Sequence, residues 1–291
     1  MRFPRGHCGF LFLVTQRNFD LSCIAQRTSK QSEPMAVVAI IPARYGSTRL
    51  PGKPLARIGG KPMIQHVYES ASKARCLDRL LVATDDRRVE QTVRSFGGEV
   101  LMTSKHHASG TDRLAEVARK IKADWFVNVQ GDLPFIQSET ITRAVRPMRR
   151  DRSIPMGTVG TPIFEEEEWR NPNIVKVLTD REGFALYFSR SPIPYVRNGA
   201  VDLNGNRTAQ HPKQRLWGNR HIGLYVYRRD FLLKFASLRP TALERIESLE
   251  QLRALAYGHR IFVAAVDERS VEVDTSEDLA KAENYLRQYK N

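Results

Sequence analysis

From residue 37 onward the sequence alternates short apolar runs with amphipathic stretches, and this alternation restricts the fold more than any other feature of the chain. Residues 37–42 are apolar without interruption, as expected of a strand covered on both faces. Residues 62–73 read as a helix, with Pro62 near its first turn and Ile64, Val67 and Ala71 on one face. Residues 79–84 read as a second strand, 86–96 as a helix stopped by Gly97 and Gly98, and 100–102 as a short strand. A helix at 110–121, a strand at 125–130 and a helix at 138–148 continue the series. Strand and helix in strict alternation imply right-handed crossovers on a mostly parallel sheet.

After residue 150 the pattern is mixed. Residues 174–179 and 185–188 suggest a strand pair turned at 180–183, and 221–227 another strand. Helices are expected at 229–238 and, as one long element, at 242–257, where Gly258 ends it. A late strand at 261–266 and a C-terminal helix at 275–289, capped by Thr275 or Ser276, complete the reading. The polar stretch 197–219 reads as an exposed loop. The expected fold class is α/β, an open, mostly parallel sheet flanked by helices, with a smaller appended α+β subdomain.

A chain of 291 residues can bury a substantial core, and none of its apolar runs reaches the roughly 18 residues of a spanning helix. Cys8, Cys23 and Cys76 form no closely spaced ligand pair, and so sparse a set fits a reducing compartment. The net charge of +14 raises the possibility of a nucleic-acid-binding protein, yet no helix-turn-helix, zinc-finger or RRM pattern organises it. A site for small anions accounts for it better. Residues 1–34 stand apart, with Asp20 and Glu33 against Arg2, Arg5, Arg17, Arg27 and Lys30. A targeting peptide is one reading of this extension; a disordered tail, or a true start at Met35, fits it better.

In open α/β sheets, ligands sit beyond the carboxyl ends of the strands. The turn after 37–42 carries Gly46 and Gly52, hydroxyls at Ser47 and Thr48, and cations at Arg44, Arg49 and Lys53. Backbone N–H groups with fixed cations make an anion nest. Five residues separate Gly46 from Gly52-Lys53, and Pro54 follows the lysine, so this is not the Walker A loop of a kinase or ATPase. Asp132 follows the 125–130 strand beside Gly131, which suits either a turn aspartate or a ligand for a hard cation. Asp274 precedes a helix and reads equally as a carboxylate at a helix N-terminus. Glu244, Glu247 and Gln251, spaced i, i+3 and i+7, would share one face of the long helix, and alone they suggest a solvated face. Arg190 follows an apolar strand and suits a carboxylate fork or the open surface.

The loop at 42–54, then Ala83-Thr84-Asp85-Asp86, Ser109-Gly110-Thr111-Asp112-Arg113, Asn128-Val129-Gln130-Gly131-Asp132, Tyr187-Phe188-Ser189-Arg190, His221-Ile222-Gly223-Leu224-Tyr225, Leu249-Glu250-Gln251-Leu252-Arg253 and Val273-Asp274-Thr275 stand in one order. In that order they resemble the 3-deoxy-manno-octulosonate (Kdo) cytidylyltransferase family over residues 37–286. The resemblance implies a nucleotide-diphospho-sugar transferase-like fold, with a nucleotide-binding half at 35–150 and a sugar-binding and dimerisation half at 151–291. It implies transfer of CMP from CTP to an acidic 3-deoxy sugar for lipopolysaccharide synthesis, in the cytoplasm, by a homodimer that uses neither nucleic acid nor membrane. Arg44, Ser47, Thr48, Arg49 and Lys53 would hold the triphosphate. Ser109, Gly110, Thr111, Arg113 and Gln130 would surround the nucleoside, and Asp132 and Asp274 would hold magnesium (Mg2+). Arg44, Lys53, Asp132 and Asp274 would carry the catalysis. Arg190, His221, Tyr225, Glu244, Glu247 and Gln251 would line the sugar pocket.

The chain departs from the family at three places. Leu133 and Asp112 stand where Glu is usual, and Glu272 stands where Gly commonly precedes Val-Asp-Thr. The 197–219 loop is also atypical. A relative acting on the 8-amino form of the sugar shares most of these motifs, so the choice between the two sugars stays open, as does a catalytically damaged relative.

Overall fold

Residues 36–47, 49–197, 216–268 and 271–289 are described by a computed structural model. The 1–34 extension and Thr48 lie outside the described residues, as does most of the 197–219 loop. The first apolar run forms β1 (Val37–Ala43). The loop after it leads through a hairpin of β2 (Arg57–Ile58) and β3 (Lys61–Pro62) into α1 (Met63–Ala71). The alternation then continues with β4 (Arg79–Thr84), α2 (Arg87–Ser95), β5 (Val100–Met102), α3 (Gly110–Lys120), β6 (Trp125–Asn128) and α4 (Ser138–Arg150). Strand β1 pairs in parallel with both β4 and β6. Its residues divide by period two between two buried cores. Val37, Ala39 and Ile41 meet Ile64, Val89 and Ile141 of α1, α2 and α4, while Val38 and Ile40 meet Leu114 and Val117 of α3. Burial on both faces is why this strand reads as uninterrupted apolar sequence.

The second half supplies β7 (Met156–Ile163), α5 (Glu166–Arg170), β8 (Lys176–Thr179), β9 (Ala185–Ser189) and β10 (Gly218–Arg228). It ends with α6 (Arg229–Phe235), α7 (Ala242–Glu247), α8 (Leu252–Ala256), β11 (Ile261–Ala265) and α9 (Ser276–Tyr289). The main sheet runs β11-β7-β10-β6-β1-β4-β5, with β8 and β9 branching from β10. Strand β10 is antiparallel to β6 and β7, and β11 is parallel to β7. The appended part is therefore a branch of one continuous sheet. Among the described residues, no helix is long and apolar enough to cross a membrane.

Three sequence expectations need correction. Strand β7 was not anticipated, because Gly157, Gly160 and Pro162 punctuate it as turn residues would. Both glycines are closely packed: a Cβ on Gly157 would lie 2.8 Å from Met148 Cε, and one on Gly160 would lie 3.1 Å from Val263 Cγ1. The single helix expected at 242–257 is two helices, broken at Ser248 in the left-handed region (φ 53°). A serine there gives no stop signal of the kind glycine gives, and the break turns Leu249 and Gln251 into the protein, at 6 % and 4 % exposure. Finally, Gly218 and Asn219, expected in a loop, open β10 opposite Ile163 and Pro162.

Candidate active site

The loop after β1 closes on itself through Gly52 N–H to Tyr45 O (3.2 Å) and Lys53 N–H to Leu50 O (3.0 Å). Gly52 has φ 68°, which favours glycine, and a Cβ there would lie 3.2 Å from the Tyr45 hydroxyl oxygen. The turn directs Lys53 inward. Its Nζ donates to Asp132 Oδ2 at 2.9 Å and Asp274 Oδ1 at 2.8 Å, and Arg49 Nη1 lies 3.0 Å from Asp274 Oδ2. Burial disfavours the Lys53 ammonium, but Asp132 and Asp274 outweigh it, and the pKa is raised.

The two carboxylates come from chain segments far apart in sequence. Asp132 leaves the end of β6, and Asp274 precedes α9, whose Ala282 packs with Ile58 and Met63. A backbone bond from Val273 N–H to Asp132 O (3.0 Å) ties the segments together. Two hard anionic oxygens thus converge on one cation, and two carboxylates are what magnesium takes from a protein when phosphates complete its shell. The donor set fits that metal. Arg44 is exposed on the same loop, and Ser47 Oγ accepts from Leu50 N–H at 3.3 Å.

Beside Asp132 lies a cavity of about 250 Å³. It opens where β10 leaves β6 and takes up β8, at a bulge between Ile222 and Tyr225. Gln130, His221, Tyr225 and Gln251 line it together with Leu133, Arg220 and Glu272. The Thr158 hydroxyl donates to Leu224 O at 2.7 Å, so its 2.9 Å contact with His221 Nε2 is donated by the histidine. Nδ1 is then the acceptor nitrogen. Burial, helped by Arg220, lowers the His221 pKa to about 3, and burial raises that of Tyr225. Both rings are neutral near pH 7. Gln251 Nε2 is buried and without a hydrogen-bond partner.

The remaining expected residues sit around this centre. Ser109 caps α3 in a capping box with Asp112, so aspartate fills the place of the usual glutamate there. Gly110 follows it, and Thr111 Oγ1 donates to Glu250 Oε2. Arg113 is fully buried, donating to Thr103 and, at 3.0 Å, to Asp85. It ties the loops that carry Asp85 and Thr103 together from inside rather than facing solvent. Glu244 closes a capping box with Thr241 and pairs with Arg253 (Nε to Oε2, 2.8 Å), away from the cavity. Glu247 accepts from Ser189 Oγ and from Arg190 N–H at 2.9 Å. The Arg190 guanidinium is spent on the carbonyl oxygens of Glu247 and Pro172, and Arg190 does not line the cavity. The broken helix explains this dispersal, since its three polar side chains no longer share a face. Leu133 is buried, at 1 % exposure, as part of the apolar core. Sequence reading passed over Arg220, whose only signal was its place next to His221.

A sequence profile described as cytidylyltransferase matches residues 38–261. The 3-deoxy-manno-octulosonate cytidylyltransferase of Syntrophotalea carbinolica is 56 % identical over 253 residues, covering 87 % of this chain and 99 % of the relative. That of Geobacter sulfurreducens is 52 % identical, covering 87 % and 100 %. Among solved structures, a CMP:2-keto-3-deoxy-manno-octonic acid synthetase complexed with CTP superposes with a TM-score of 0.78 at 44 % identity, covering 87 % of this chain and 99 % of the other.

Proposed function

The chain belongs to the 3-deoxy-manno-octulosonate cytidylyltransferases, a branch of the cytidylyltransferase family, and from that premise we propose how its residues carry the transfer of CMP from CTP to the sugar acid. The sugar's anomeric 2-hydroxyl attacks the α-phosphorus of CTP, its proton passes to solvent, and pyrophosphate leaves. Such a transfer needs alignment of the reactants and neutralisation of charge more than it needs covalent help.

The observation that carries this reading is the convergence of Lys53, Asp132 and Asp274 beyond the carboxyl ends of β1 and β6. Arg44, Ser47, Thr48 and Arg49 supply further donors to the triphosphate along the same loop. Asp132 and Asp274 would hold the metal ion, magnesium in our reading, which neutralises the phosphates when bound. Lys53 is then released from the carboxylates to the triphosphate. Ser109, Gly110, Thr111 and Gln130 flank the nucleoside, with Arg113 setting the loop behind them. The neutral His221, through Nδ1, and Tyr225 and Gln251 offer hydrogen bonds to sugar hydroxyls in the cavity beside Asp132. Glu247 and Arg190 fix the β9 edge of that pocket, and Glu244 fixes the helix that carries Gln251. A homodimer in the cytoplasm, acting on small molecules without nucleic acid, completes the proposal.

Purified enzyme with CTP, 3-deoxy-manno-octulosonate and magnesium should release pyrophosphate, and chelation of the metal should stop it. The 8-amino sugar run alongside identifies the preferred acceptor. No pyrophosphate from either sugar at high enzyme concentration would sink the reading.

A further inference from the structure

Among the described residues lining the sugar cavity, Arg220 is the only lysine or arginine, and Asp132 and Glu272 supply two negative charges. An acidic sugar adds a third. The guanidinium is already engaged: Nη2 lies 3.4 Å from Glu272 Oε1, and Nη1 lies 3.3 Å from Glu168 Oε1. Glu168 approaches from α5, on the side of a neighbouring cavity that Arg220 also lines. Glu272 approaches from the sugar side. Its backbone position is set by the next residue, Val273, which is fully buried and bonded to Asp132 O. Glu168 thus holds the guanidinium in place from behind while Glu272 covers the face that a substrate would meet.

The side chain at position 272 decides whether that face of the guanidinium is covered. A glycine would leave that face of Arg220 open. With glutamate, the cavity carries its own carboxylate in front of Arg220. The Glu272 side chain is 37 % exposed and belongs to a short connecting segment, so it can leave its partner without unpacking the core.

Resting on the reading that the substrate is a sugar acid, we propose that Glu272 is a built-in competitor for Arg220, displaced by the carboxylate of the sugar on binding. Glu272 is then a specificity-determining residue. It sets the affinity for the acidic substrate by the strength of the ion pair that the substrate must break, and it leaves CTP binding untouched.

The test is steady-state kinetics of the full chain and of Glu272→Gln, which removes the charge and keeps the size. A partly exposed ion pair of this kind corresponds to a fall in the KM for the sugar acid of about five-fold. The KM for CTP should stay within about two-fold of wild type, well below that effect. Glu272→Gly should act in the same direction and serves if the glutamine variant does not fold. In an Arg220→Met background, which itself weakens sugar binding, Glu272→Gln should no longer lower that KM, because the contested cation is gone. An unchanged or higher sugar KM in both Glu272 variants, with wild type active, overturns the competition and leaves the activity standing. An equal gain with and without Arg220 also overturns it. An inactive wild-type chain removes the underlying reading, and the proposal with it.

Discussion

At the loop after β1, three full charges meet within hydrogen-bond distance while partly open to water: Lys53, Asp132 and Asp274 have side-chain exposures of 15 %, 29 % and 34 %. At the cavity beside it, His221, Tyr225 and Gln251 are exposed by only 6 %, 9 % and 4 %, and none is charged near pH 7. The first end lies on the parallel part of the sheet, where loops leave the carboxyl ends of strands and side chains reach outward. The second lies on the antiparallel part, where side chains come from within β10 and from the turn between α7 and α8. At the first end the charges balance one another within reach of solvent, and in the recess the buried groups are neutral beside the Arg220–Glu272 ion pair.

The largest effect on this contrast should come from a charge that breaks the pattern by being buried on the parallel side. Arg113→Met leaves Asp85 without its partner and should cost roughly 3 kcal/mol of stability, seen as a lower melting temperature, with little change in the KM for CTP. A raised KM for CTP at unchanged melting temperature would instead place Arg113 in direct contact with nucleotide. A smaller effect, dependent on pH, belongs to the antiparallel side. His221 is held near pKa 3 in the folded chain against 6.5 as its ordinary value, so the unfolded chain takes up its proton first as pH falls. Its contribution to stability is complete above pH 6.5 and is lost progressively as pH falls from there toward 3. His221→Asn should flatten the melting-temperature profile between pH 7 and pH 4, by up to about 1.4 kcal/mol per pH unit. Coincident profiles for the two proteins would show that the imidazole takes up a proton in place.

The same contrast explains what could be read in the sequence. The β1 run, the loop that ends at Lys53, and Gly131-Asp132 are contiguous, and each carries its own signal of apolar strand, glycine turn and charge. Asp274 could be joined to them only through the family resemblance, since its links are tertiary: the Lys53 and Arg49 contacts, and a backbone bond across 141 positions of sequence, from Val273 to Asp132. The cavity was harder to read because its determinants are irregularities. The bulge in β10, the left-handed Ser248 and the crowded glycines of β7 have no periodicity, and each depends on packing partners distant in the chain. Helical spacing therefore grouped Glu244, Glu247 and Gln251 together, whereas only Gln251 reaches the cavity. Arg220 went unnoticed beside the more distinctive His221.

The division of labour between the two ends is tested most directly by one set of steady-state kinetics on Asp132→Asn and Gln251→Ala, with CTP and the sugar acid varied in turn. Asp132→Asn should lower kcat by roughly two to three orders of magnitude, with the KM for the sugar much less affected. Gln251→Ala should raise the KM for the sugar acid and leave that for CTP near wild type. If both variants moved the same parameter, or if Asp132→Asn turned over at close to the normal rate, the assignment of the Lys53, Asp132 and Asp274 end to the phosphates and of the cavity holding Gln251 to the sugar would be contradicted.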